Sequence, residues 1–132
     1  MAKQASKQDL CVCDTGAALD RCCGPILAGE RQAETAVALM RSRYAAFVLG
    51  NVDYLLTSWH PQTRPSALQL DPEQRWLGLK IKRQLGGQAQ DAHGQVAFVA
   101  RYKLGSRGYA MRELSSFERV DGCWRYLSGE QG

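Results

Sequence analysis

Hydrophobic residues recur along this chain with two different periods, and the change between them divides it. From Thr35 the sequence reads TAVALMRSRYAAFVLG, with Val37, Met40, Tyr44, Phe47 and Val48 at the three- and four-residue intervals of a helix face. Thr35 is suited to the N-cap, where its hydroxyl accepts from an unpaired amide of the first turn, and Gly50 is a natural stop. Asn51 caps a second, shorter helix over VDYLLTSW, which must end before Pro61. Residues 61–75 carry Pro61, Pro65 and Pro72 and read as loop.

Beyond that loop the period falls to two. WLGLKIKRQ alternates, with Leu77, Leu79 and Ile81 on one side and Lys80 and Lys82 on the other, until Gly86-Gly87 breaks it. QVAFVARYKL sets Val96, Phe98, Ala100 and Tyr102 against Ala97, Val99, Arg101 and Lys103. A GSRG turn leads into YAMRELSSFERV, where Tyr109, Met111, Glu113, Ser115 and Phe117 share a face. Asp121-Gly122 is a strong hairpin signal before CWRYL. Two helices followed by four hairpin-linked strands predict an α+β fold, with the helices packed on a curved antiparallel sheet.

Ahead of the helices, CVCDTGAALDRCCG holds four of the five cysteines, and three chemistries need close thiols: a metal, a disulfide staple or a redox pair. Composition narrows the choice. The 132 residues, 45% hydrophobic and 23% charged, suit one soluble domain with a small appendage, large enough to fold without staples. Met1 to Leu10 is polar, and no apolar run approaches the roughly 20 residues of a membrane span, so a cytoplasmic protein without a membrane partner is expected. In that reducing compartment clustered thiols hold metal more often than disulfides, and a redox pair would be C-x-x-C beside a βαβ unit. Tetrahedral zinc takes four sulfurs from two short segments. Here Thr15-Gly16 permits a turn after the first pair, ALDRCC a helical turn carrying the second, and Gly24 an exit. The boundary with the helices falls at Gly24-Pro25 to Gly29. The fifth cysteine, Cys123, lies in the last strand and reads as an inert buried thiol.

These residues carry a resemblance. CxC-x8-CC followed by Gly-Pro resembles the cysteine-rich zinc motif at the C-terminus of the SecA translocase, the SEC-C motif. That motif, followed by ALMRSRYAAFVLGNVDYLLTSWHPQTRP, WLGL, VAFVARY and ELSSFERVDGCWRYLSGE, resembles the bacterial YchJ family over nearly the whole chain. Asp14-Thr15-Gly16 stands where the motif usually has Gly-Ser-Gly, and Val12 where a proline is frequent; neither change removes a ligand. The resemblance implies a SEC-C-like zinc motif over residues 1–28, with Cys11, Cys13, Cys22 and Cys23 holding a structural Zn²⁺. It implies a nuclear transport factor 2-like (NTF2-like, also cystatin-like) cone over residues 29–132. By analogy with the SecA motif, the knuckle would dock a protein partner, and cones of this kind often dimerise through the outer face of the sheet.

A cone of this kind encloses a pocket between sheet and long helix. Its candidate residues are Arg41, Tyr44, Trp59, His60, Trp76, Arg101 and Glu113. Glu113 is the most informative, because a carboxylate on an apolar strand face must be paired or shifted toward its neutral form. It either pairs with Arg41, Arg43 or Arg101, or serves acid–base chemistry. Arg41 and Arg43 point to different sides of their helix, so one at most lines the pocket and the other lies on the surface or against the cysteine segment. Trp59-His60-Pro61 would set an imidazole at the mouth, whereas His93 belongs to an exposed loop. No nucleophile elbow, phosphate-binding loop or dinucleotide fingerprint is present, so no reaction class is read. The net charge of +4 comes from scattered basic residues, a solvated surface without the stacking aromatics that RNA binding would add. Three roles follow in order: a zinc-binding adaptor, a small-molecule-binding or enzymatic cone with a structural zinc, and an RNA binder.

Overall fold

The computed structural model describes Cys11, Cys13, Leu19 and residues 22–131. Three helices precede four strands: α1 (Cys23–Leu27), α2 (Ala36–Leu49), α3 (Val52–Thr57), β1 (Gln74–Gly86), β2 (His93–Leu104), β3 (Arg107–Val120) and β4 (Cys123–Gln131). The strands form one antiparallel sheet in the order β1-β2-β3-β4, each joined to the next by a hairpin. The turns expected at Thr15-Gly16 and over residues 17–21 lie outside the described residues except for Leu19, and the second cysteine pair leads directly into α1.

α2 begins and ends where its caps dictate. The Thr35 hydroxyl accepts from the Ala38 amide at 3.0 Å, and Gly50 takes the left-handed conformation (φ 75°) that closes the last turn. The helix crosses the sheet with α1 and α3 on its other sides, so Ala36, Leu39, Met40 and all residues from Ser42 to Ala46 are buried. A helix enclosed in this way must satisfy the polar groups it carries inside. Ser42 donates to the Leu39 carbonyl at 2.7 Å and shares a hydrogen bond of 2.5 Å with the Tyr54 hydroxyl.

The Asn51 side chain caps α3 by accepting from the Tyr54 amide at 3.0 Å. The helix stops at Thr57, two residues short of the expected Trp59, because the chain there is taken up by the sheet. The Tyr126 amide donates to the Ser58 carbonyl at 2.8 Å and the His60 amide to the Tyr126 carbonyl at 2.7 Å, so Trp59 bridges β4 in parallel.

The strands follow the predicted alternation apart from irregularities in the pairing at Trp76/Gly78 and Ile81/Arg83 of β1 and at Ser116/Phe117 where β3 meets β4. A bulge between Trp76 and Gly78 shifts the pleat of β1 by a residue. Trp76, Leu79 and Ile81 face the helix side as a result, and Leu77, expected among them, is 56% exposed. The last hairpin has positive φ at both Asp121 and Gly122, the geometry of a type I′ turn. Where α2 starts, the Ala36 amide donates to the Gly87 carbonyl at 2.9 Å. A Cβ on Gly94 would collide with the Gly87 backbone, so two glycines let the β1–β2 hairpin pass under the helix. Cys123, expected to be buried, is half-buried. No helix among the described residues is long and apolar enough to cross a membrane.

Candidate functional site

Two clusters of chemistry flank α2. The first is made of thiols. Cys22 precedes α1 and Cys23 opens it, and all four sulfurs of Cys11, Cys13, Cys22 and Cys23 lie within 4.8 Å of one another. Cys13 and Cys22 are 3.4 Å apart at sulfur, Cys22 and Cys23 3.8 Å, and none of the five cysteines forms a disulfide. Four sulfurs around a tetrahedral ion at about 2.3 Å would be separated by about 3.8 Å, so the arrangement fits a soft divalent cation. The donor chemistry agrees with the distances. The Cys11 thiol is pushed up to about 11, chiefly by its hydrogen bond with Cys13, and Cys23 is pushed far above the ordinary thiol range by its bonds with Cys11 and Cys13 and by burial. Thiols this close ionise together only around a positive charge.

Neighbouring residues fix the backbone of this cluster. Arg41 donates to the Cys13 carbonyl at 2.8 Å and Arg31 to the Cys22 carbonyl at 3.1 Å. Gly24 is required by contact, since a Cβ there would stand 2.7 Å from the Leu19 carbonyl oxygen. The cysteine segment, read from the sequence as a small appendage, packs against the α+β unit. Cys11, Cys13 and Cys23 are buried in the same cluster as Ile26, Leu39, Met40 and Trp124.

The second cluster lines a cavity of about 310 Å³ between α2 and the sheet. Of the seven residues proposed from sequence, Tyr44, Trp59, Trp76 and Glu113 border it. The other three lie elsewhere. Arg41 is on the cysteine side of α2, held by the Cys13 carbonyl. His60 is buried outside the cavity, its Nε2 3.2 Å from Glu118 Oε1 and its Nδ1 accepting from the Gln62 amide at 3.1 Å. Arg101 is exposed on the opposite face of the sheet, because it belongs to the outward-pointing set of β2.

The arginine that does line the cavity is Arg43, 3% exposed. Its Nη1 donates to the Leu55 carbonyl at 2.8 Å and to Ser58 Oγ at 2.6 Å. The guanidinium lies 4.5 Å from the Tyr126 ring centre and 5.1 Å from that of Trp59, a cation between two aromatic faces. Burial lowers it to about 10, the charges of its neighbours only partly opposing this, and it stays protonated at neutral pH. The signal for Arg43 was present in the sequence: Met40, Arg43, Tyr44 and Phe47 follow the i, i+3, i+4, i+7 spacing of one stripe, and Arg41 does not.

Glu113 sits across the cavity on β3. Ser115 Oγ donates to its Oε2 at 2.6 Å, and its charge acts on both Arg43 and Tyr126. Burial raises the Tyr126 hydroxyl first, and the nearby Glu113 carboxylate adds to it. Glu113 packs closely on β4 at Gly129, where a Cβ would overlap the carboxylate and come 2.9 Å from the Tyr126 hydroxyl, so the Glu113 side chain would have to move to admit one. The remaining walls are apolar or aromatic, and Trp76 packs edge-on against Tyr44 at 5.8 Å. Trp59 Nε1 is buried with no acceptor. Tyr126, Ser115 and Leu68, the last from the proline-rich loop, were not proposed from sequence.

The chain is similar to known proteins in sequence and in fold. Residues 35–129 match the family model described as YchJ, middle NTF2-like domain. A UPF0225 protein of Streptomyces coelicolor is 49% identical over 120 residues, 91% of this chain and 94% of its own. A UPF0225 protein of Chromobacterium violaceum is 48% identical over 131 residues, 96% of this chain and 97% of its own. Among solved structures, a SEC-C motif containing protein from Rhodopseudomonas palustris superposes with a TM-score of 0.80 at 34% identity, covering 91% of this chain and 96% of that one. A SEC-C motif containing protein from Psychrobacter arcticus gives 0.75 at 27% identity, covering 92% and 82%. With helices laid on a four-stranded antiparallel sheet and a four-cysteine cluster at its N-terminal side, the chain belongs to the YchJ (UPF0225) family of NTF2-like proteins with a SEC-C-type motif.

Proposed function

We propose that this protein is a small-molecule-binding module in which a zinc ion held by Cys11, Cys13, Cys22 and Cys23 serves as a structural clip. The observation that carries the reading is the cavity of about 310 Å³, within the usual size range of ligand sites, walled by aromatic side chains and furnished with one buried cation and one carboxylate. Its polar groups stand on both sides: Arg43 on α2, and Glu113, Ser115 and Tyr126 on the sheet. That combination suits a compact, partly aromatic or alicyclic molecule with a polar end directed at Glu113 and Ser115 and its flat body against Trp76 and Tyr44. Zinc, d¹⁰ and without redox chemistry, would supply cross-linking between the cysteine segment and α1. Burial of three of the four thiols in the common core supports a structural part for it and argues against a surface from which the sulfurs themselves meet a partner.

Ligand-induced thermal shift with a library of neutral and charged metabolites tests the binding reading, run on zinc-loaded wild type and on Trp76→Ala. A compound that raises the wild-type melting temperature and not that of Trp76→Ala is the expected result. A library that shifts neither protein, while a Cys22→Ser pull-down loses a protein partner that wild type retains, would replace the reading with the adaptor one. Metal analysis of freshly purified protein is expected to give one zinc per chain, and any other metal, or none, removes the clip.

A further inference from the structure

The basic residues that look scattered in the sequence are gathered by strand register. On β1, β2 and β3 the positions turned away from the helices carry Arg75, Lys80, Lys82, Arg83, Arg101, Lys103 and Arg112, all exposed. Lys80, Val99 and Arg112 stand abreast across the three strands, and Arg75 stands beside Lys103. Lys80, Lys82, Arg101 and Arg112 line one shallow groove of about 390 Å³. The carboxylates that the register puts on this side, Glu118 and Glu130, lie toward β4, and Glu118 is engaged by His60 and His93. The central residue of the face, Val99, is only 6% exposed under the long basic side chains.

From this charge distribution we infer that the outer face of β1–β3 binds the phosphate backbone of a single-stranded nucleic acid, independently of the cavity on the other side of the sheet. Four physical arguments select this occupant. A protein interface is built around an exposed apolar or aromatic centre depleted in charge, and here the central Val99 is covered and the exposed groups around it are cations. Nucleic-acid interfaces are strongly positive and draw affinity from phosphate contacts that need no base readout. A second copy of the chain would set seven cations against seven. Alternate residues on a strand are about 7 Å apart and neighbouring strands about 4.8 Å, so the four groove cations are spaced to meet a phosphate every two or three nucleotides of a stacked strand rising about 3.4 Å per nucleotide.

Fluorescence anisotropy with labelled dodecauridylate tests the inference on zinc-loaded full-length protein. If four phosphates are neutralised, the affinity falls about 50-fold between 50 and 200 mM salt, following a slope of about −0.7 per contact for a single strand. Lys80→Gln/Arg101→Gln/Arg112→Gln leaves one contact in the groove, so binding weakens and the same salt interval costs only about 3-fold. All three side chains are exposed, and circular dichroism and zinc content should match wild type. Lys82→Gln alone, expected to lower the slope by one contact, serves if the triple variant fails to fold. Absence of binding at 50 mM salt, or an unchanged slope in both variants, overturns the inference. Displacement of the oligonucleotide by polyaspartate at equal charge concentration also overturns it, in favour of an acidic polypeptide.

Discussion

Replacing Arg43 by methionine removes the one charge that α2 carries into the interior and keeps most of the side-chain volume. The wild-type guanidinium, 3% exposed, makes two hydrogen bonds, to the Leu55 carbonyl at 2.8 Å and to Ser58 Oγ at 2.6 Å. Hydrogen bonds from a charged donor are worth about 1.5–3 kcal/mol each, so the pair accounts for about 3–6 kcal/mol. Two aromatic faces at 4.5 and 5.1 Å add to the loss. Against this stands the desolvation cost that the mutant no longer bears, which commonly returns a few kcal/mol for a buried charge. Ser58 Oγ keeps its bond to the Tyr54 carbonyl at 2.7 Å, whereas the Leu55 carbonyl is left with only the longer contact to Ser58 Oγ at 3.2 Å. The net expectation is a destabilisation of about 2–4 kcal/mol, a fall in melting temperature of about 10 °C for a chain of this size. Arg41→Met removes a single bond from a half-buried side chain to the Cys13 carbonyl and should cost about 1 kcal/mol. Thermal and urea denaturation of the two variants side by side decide the matter. A melting temperature for Arg43→Met within 2 °C of wild type (roughly the shift of a sub-kcal change), or a larger loss in Arg41→Met, would refute the assignment of the buried cation to Arg43.

Other substitutions act on contacts that are equally explicit. Gly129→Ala would drive a Cβ into the Glu113 carboxylate, which must swing aside and disturb its 2.6 Å bond from Ser115; a loss of about 1 kcal/mol is expected in denaturant melts. Gly94→Ala meets the Gly87 backbone, including its nitrogen at 2.7 Å, and backbone cannot swing aside, so about 3 kcal/mol or a failure to accumulate folded protein is expected in expression and circular dichroism. Removal of metal with a strong chelator should lower the melting temperature of the whole domain and not only loosen the N-terminal residues, because three of the thiols pack in the common core. Two separate transitions by calorimetry, with the second unmoved, would contradict that coupling.

What could be read from the sequence was whatever depends on neighbours along the chain. Thr35, Gly50 and Asn51 act within one helical turn, and the Asp121-Gly122 turn needs only its two flanking strands, so each is visible in a few letters. What escaped depends on how elements meet. A bulge at Trp76–Gly78 moves Leu77 to the outer face, and nothing in WLGLKIKRQ marks the extra residue. Trp59 has the spacing to continue α3, yet the unpaired edge of β4 takes it instead. Arg41 and Arg43 show the intermediate case. The stripe through Met40, Tyr44 and Phe47 passes through Arg43, so periodicity names it, while the general aversion to buried charge speaks against it. The resolution lies in α3, whose last carbonyls and Ser58 are brought beside the guanidinium by the turn at Gly50. The outer-face cations follow the same logic at larger scale: Lys80 and Arg112 are 32 positions apart along the chain and stand abreast only because β2 lies between them in register. Polar chemistry in this protein is thus placed by partners remote in sequence, and the alternation that builds the sheet decides at each residue whether a charge faces the cavity or the solvent.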